Sequence, residues 1–158
     1  MESTKQKLKN FLKPYLIFIF CLVFTLINIK TIKAKDITFH GGYTFSTFKG
    51  QKVAAVYITI INLSKNDISF KSLTTEVSGK AEIHNIFRDG NIMKMEKMEN
   101  FLIKGSETVF FQPGGTHIML MGLKRQLKDK ESFDLIFETK KKQTYKTTVT
   151  VIDRQKQN

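Results

Sequence analysis

The sequence predicts an all-β domain, a sandwich or barrel, behind an N-terminal export segment. Two observations carry the fold class. Beyond Asp36 no stretch keeps apolar residues at helical spacing, whereas seven short runs alternate or are rich in β-branched and aromatic residues. These runs recur about every ten residues with turn chemistry between them, the pattern of antiparallel β architectures rather than of a parallel α/β sheet. At 158 residues the chain suits one compact domain with its own core, and it shows no internal repeat, linker or second domain.

The first 34 residues read as a separate segment. Lys5, Lys7, Lys9 and Lys13 form a basic start, and Tyr15 to Ile29 is an uncharged apolar run of signal-sequence length. That run is short of the roughly 20 apolar residues a spanning helix needs. Ile32 and Ala34 then stand where the −3 and −1 residues of a cleavage site would, an imperfect small-x-small match. The expected organisation is a signal peptide over 1–34, with an uncleaved anchor over 15–29 as the alternative, and a folded domain over 35–158. Either way the domain is exported. Cys21 is the only cysteine and follows Phe20, whereas a lipidated cysteine wants small residues before it. After cleavage no cysteine remains, so the domain is expected to have neither a disulfide nor a thiolate ligand.

Each strand has its own signal. Val53–Leu63 is β-branched and aromatic, and alternation marks Ile68–Val77, Ala81–Phe87, Thr108–Gln112, Thr116–Met121, Phe133–Thr139 and Tyr145–Ile152. The turns are read at LSKND 63–67, SGK 78–80, RDGN 88–91, KGSE 104–107, QPGG 112–115 and KKKQ 140–143. Asp89-Gly90 is the strongest hairpin cue, because glycine accepts the positive φ of a tight turn.

Charge narrows the partners. The whole chain is formally +12, but removing residues 1–34 takes away six basic residues and one acidic residue, leaving +7. Its lysines are dispersed apart from Lys140–Lys142 and the group from Lys124 to Lys130, and its arginines are only Arg88, Arg125 and Arg154. A nucleic-acid binder would carry a dense basic stripe with interleaved aromatics, so nucleic acid is not an expected partner. No carboxylate pair and no Ser/His arrangement suggests catalysis, and the chain is not expected to be an enzyme.

The chemistry gathers in GGTHIMLMGLK, residues 114–124. Alternation puts His117, Met119 and Met121 on one face of the strand and Ile118 and Leu120 on the core face. Upstream, His84 lies in AEIHNIF, and the Asp89-Gly90 hairpin folds Met93 and Met95 back beside it. Imidazole and thioether are neutral and the thioether is soft, so the set favours Cu(I) over Mg²⁺ or Ca²⁺. Zinc sites draw on Cys, His and carboxylates, and a blue-copper site needs a cysteine thiolate.

From His84, ten intervening residues lead to Met95, twenty-one more to His117 and one more to Met119. This spacing, with AEIH, MKM, PGG and HIMLMGLK around it, resembles the periplasmic copper chaperones called PCu(A)C, whose motif is H(M)-x10-M-x21-H-x-M. The resemblance covers roughly residues 50–151. It implies a cupredoxin-like Greek-key β-sandwich that binds one Cu(I) per chain through His84, Met95, His117 and Met119. It implies further that copper is passed toward the Cu(A) centre of cytochrome c oxidase, with a Sco-type thiol protein as co-worker. The protein is expected to be periplasmic, without a membrane span once the leading segment is cleaved, and a monomer, since no long heptad or large apolar helix argues for an obligate assembly. Ile86 replaces the motif's optional methionine, and the DRQKQN end carries no His/Met-rich tail for a second copper. Met121, Met93 and Met98 read as packing or surface residues, His40 as a solvated histidine, and Glu82 and Asp89 as strand-surface and turn residues. Two other functions fit the same sequence: a copper-sequestering protein using this site, and an exported β-sandwich interaction domain in which His and Met merely pack.

Overall fold

Alternating side chains make most of the chain half-buried strand, and ten strands form in the structure, a computed structural model that describes residues 35–154 together with Pro14, Tyr15 and Phe18. Contacts divide the chain into two compact units, Met1–Ala34 and Lys35–Asn158. The signal segment, its cleavage site and Cys21 lie outside the described residues, apart from those three positions. No helix among the described residues is long and apolar enough to cross a membrane.

The strands of the second unit are β1 (Ile37–Phe45), β2 (Val53–Asn62), β3 (Ile68–Thr75), β4 (Ser78–Asp89), β5 (Ile92–Lys97), β6 (Phe101–Ile103), β7 (Thr108–Phe111), β8 (His117–Leu123), β9 (Ser132–Thr139) and β10 (Thr144–Ile152). Their hydrogen-bonded order is β5-β4-β8-β2-β1-β10-β9-β3-β6, with β7 on the free length of β2. An additional β3–β4 pairing at Leu73–Ala81 joins the two arms, so the sheet closes into a flattened barrel. Closure removes most of the free sheet edge, a liability in an open all-β chain. Only β1 and β10 run parallel; every other pairing is antiparallel.

The core follows the period of two. Along β2, Ala54, Val56, Ile58 and Ile60 are buried, and along β9, Phe133, Leu135 and Phe137 join the same core. Phe70 packs edge-on to Phe137 at 5.3 Å between ring centroids, and Phe101 does the same to Phe111 at 5.2 Å. On β8, Ile118 and Leu120 are wholly buried, which fixes the face that His117, Met119 and Met121 must take. Each buried Leu or Ile of this kind contributes about 1.5–3 kcal/mol by leaving water.

Three readings of the sequence change. Residues 37–45 form a strand that alternation did not reveal, because HGG at 40–42 interrupts it: the register with β2 shifts between His40 and Tyr43, and Gly41 takes φ +63°. His40 lies on that strand and is exposed. SGK 78–80 is strand rather than turn; the chain reverses at Glu76-Val77 instead, and Val77 is buried. The third change is β6, three residues long and too short to announce itself by alternation. The Asp89-Gly90 hairpin forms as read, with Asp89 opposite Ile92 and Gly90 at φ +61°.

Leu120→Ala would remove core packing beneath the face of β8 that carries His117 and Met119. We expect it to cost about 2–5 kcal/mol in chemical denaturation, against under about 1.5 kcal/mol for the volume-conserving Leu120→Met.

Candidate metal centre

Three neighbouring strands assemble the site. β4 pairs with β8 so that His84 stands directly opposite His117 and Glu82 opposite Met119. Directly opposed residues share a face of the sheet, and so do residues two apart on one strand. His84, His117, Met119 and Glu82 therefore project from one side. On the other flank of β4, β5 places Lys97 opposite His84 and Met95 opposite Ile86, so Met95 is the diagonal neighbour of His84 on that same side. The four residues singled out by spacing run obliquely across β5, β4 and β8. The imidazoles occupy the middle and a thioether lies at each end.

The two imidazoles form the closed part of the site. Their ring centroids are 6.2 Å apart at an interplanar angle of 35°. His117 is buried at 3% exposure, while the His84 side chain retains 15%. Met119 is half-buried, whereas Met95 is 47% exposed on edge strand β5, where every residue is exposed. Met93 is exposed on the same face, Met121 is half-buried opposite Lys80 and Val53, and Met98 is at the surface. The site thus has an enclosed histidine pair and an open methionine.

The ring nitrogens are not equivalent. His117 Nδ1 lies 2.9 Å from the Gly115 carbonyl, an acceptor only, so Nδ1 carries the proton and Nε2 the lone pair in the neutral ring. His84 Nε2 lies 3.1 Å from Glu82 Oε2. Glu82 Oε1 is also 2.7 Å from Lys80 Nζ and 3.2 Å from Lys97 Nζ, ionic contacts set off the direction of an aligned hydrogen bond. Lys80 above all, then His84 and Lys97, hold the Glu82 carboxyl down to about 2 against the opposing effect of burial. Glu82 was read from sequence as a strand-surface residue, but its side chain is only 10% exposed and it stands against His84. The i, i+2 spacing from His84 was the signal for that contact, and nothing in the sequence alone showed that two lysines would fold onto it.

Among the described residues no group of three or more His, Cys, Asp or Glu side chains is placed to hold a metal ion. Two imidazoles with two thioethers make a different kind of donor set, neutral and half sulfur, suited to a soft monovalent ion.

A model of the LpqE-like lipoprotein family matches residues 32–151 of this chain. The chain belongs to the LpqE-like family. A protein of Rickettsia prowazekii (strain Madrid E), the uncharacterized RP573, is 34% identical over 85 residues, which are 53% of this chain and 47% of that protein, so the match spans about half of the curated relative. Among solved structures, the Cu(I) form of DR1885 from Deinococcus radiodurans superposes with a TM-score of 0.63 at 24% identity, covering 78% of this chain and 83% of DR1885. The copper-bound PCuAC domain of PmoF2 gives 0.63 at 12% identity over 77% of this chain and 96% of that domain. This LpqE-like chain is thus of PCuAC type in fold, as the motif resemblance implied.

The unequal burial of the four residues separates their structural roles. In denaturation of the metal-free LpqE-like protein, Met95→Ala should change stability by no more than about 0.5 kcal/mol, as for an exposed site. His117→Ala, which empties a buried position and leaves the Gly115 carbonyl without its donor, should cost about 1–3 kcal/mol.

Proposed function

We propose that this chain is an exported Cu(I) metallochaperone that carries one ion on His84, Met95, His117 and Met119 and passes it on by ligand exchange. The observation that carries the reading is the β4–β8 register, which sets His84 against His117 with Met119 on the same face and Met95 one diagonal step away across the hairpin. Copper appears in the names of two structures that share the fold, the Cu(I) form of DR1885 and the copper-bound PmoF2 domain, which supports the choice of metal. The family's description as lipoproteins supports export, and we place the protein in the periplasm.

Copper here is cargo, and the chemistry asked of the protein is reversible capture. Neutral ligands leave the bound ion with its +1 charge, so the anionic thiolates of an acceptor can draw it away. Buried His117 and half-buried His84 hold the ion on the inner side, while Met95 at the sheet edge is the ligand that an incoming donor meets first. A copper-binding domain with no cysteine in residues 35–158 avoids disulfide formation in an oxidising compartment, at the cost of exposing methionine to sulfoxidation. We assign as acceptor the copper-receiving subunit of cytochrome c oxidase, with a Sco-type thiol protein as co-worker and the carrier itself acting as a monomer.

Anaerobic titration of the protein with Cu(I) against a chromophoric chelator tests the reading. One competitive equivalent is expected, weakened by more than about 100-fold in His117→Ala and Met119→Ala, a larger loss than removal of a ligand's supporting partner brings. Absence of competitive binding by the folded protein would leave an exported β-domain with packed His and Met. Tight binding with no transfer to a dithiolate acceptor would favour sequestration.

A further inference from the structure

Among the described residues Glu82 is the one acidic side chain in hydrogen-bond or ionic contact with a histidine of the candidate centre, and its side chain is only 10% exposed although it projects from the outer side of the sheet. It lies two residues before His84 on β4 and opposite Met119 on β8, which puts it between a histidine and a methionine of the site. One oxygen meets His84 Nε2 at 3.1 Å, and the other meets the ammonium groups of Lys80 at 2.7 Å and Lys97 at 3.2 Å. Lys97 stands directly opposite His84 across the hairpin and is tied outward to Glu99 at 2.9 Å. A carboxylate flanked by two ammonium groups is ionised and can only accept, so the proton on this contact belongs to His84 Nε2. In a neutral imidazole that leaves the lone pair on Nδ1.

We propose that Glu82 is a positioning residue for the copper site: it fixes His84 in the Nε2–H tautomer so that Nδ1 is the ligating nitrogen. The Gly115 carbonyl imposes the opposite tautomer on His117, whose Nε2 is then the ligating nitrogen. The two histidines thus present different nitrogens to one ion. Each holds its proton on an acceptor that sets ring orientation and basicity, as the outer partners of metal-bound histidines do. Glu82 has a second effect. Lys80 and Lys97 bring two positive charges to a site whose four ligands are neutral, and the carboxylate between them offsets part of that field where a cation must bind.

This inference rests on the copper reading, and its test separates the two. Long-range ¹H–¹⁵N correlation of the imidazoles in the metal-free wild-type protein reads the tautomers with no variant and no copper; His84 is expected as Nε2–H and His117 as Nδ1–H. Glu82→Leu, close in size but without an acceptor, should give a mixed His84 tautomer and weaken competitive Cu(I) binding by about 10- to 100-fold. Glu82→Gln, whose amide oxygen still accepts, should restore the tautomer and recover most of that loss. A wild-type His84 protonated on Nδ1, or a Glu82→Leu variant with unchanged Cu(I) affinity, would overturn the assignment. If the wild type shows the expected tautomers yet binds no Cu(I), the copper reading fails and the positioning role toward copper falls with it.

Discussion

The register between β4 and β8 is the constraint on which everything else depends. A slip of one residue would turn His117 and Met119 into the core and push Ile118 and Leu120 outward, because side chains alternate strictly along a strand. The core prevents it. Ile83 lies opposite Ile118 and Ala81 opposite Leu120 on the inner face, and Ile118 and Leu120 are wholly buried. β8 is also held on its far side, where Val56 and Ala54 of β2 pair with the same two residues. The apolar side of β8 therefore sets the position of its polar side, and the histidine pair follows from hydrophobic packing rather than from any attraction between imidazoles.

The hairpin of β4 and β5 completes the arrangement by different means. β5 has an exposed residue at every position, so little packing holds it, and its register comes from the tight turn at Gly90 and the ladder to β4. Charge adds to this: Lys94 pairs with Asp89 at the turn, and Lys97 reaches Glu82 across the ladder. Exposed pairs of the first kind are worth little, about 0–1 kcal/mol. The candidate site thus joins a largely buried half on β8 to an exposed half on β5, a division that suits the proposed capture and release of an ion.

Much of this was legible in the sequence because period-two alternation records burial directly. Ile118 and Leu120 between His117, Met119 and Met121 show which face is which without any structure, and Asp89-Gly90 marks the hairpin that brings Met95 toward His84. The departures have physical causes. β1 hid behind the HGG bulge, and β6 is only three residues long. SGK 78–80 looked like a turn because Ser and Gly usually mark one, yet here Gly79 continues the strand beside Gly122. Glu82 escaped because alternation assigns a face but says nothing of which long side chains fold onto it; the burial of its carboxylate depends on Lys80 and on Lys97 from the next strand.

X-ray absorption at the copper edge of the Cu(I)-loaded protein tests the central claim most directly, since it counts donor types without assuming which residues supply them. The account predicts two nitrogen and two sulfur scatterers in the wild type, with one sulfur lost in Met95→Ala and one in Met119→Ala. A nitrogen-only shell, or a sulfur count unmoved by both substitutions, would contradict it.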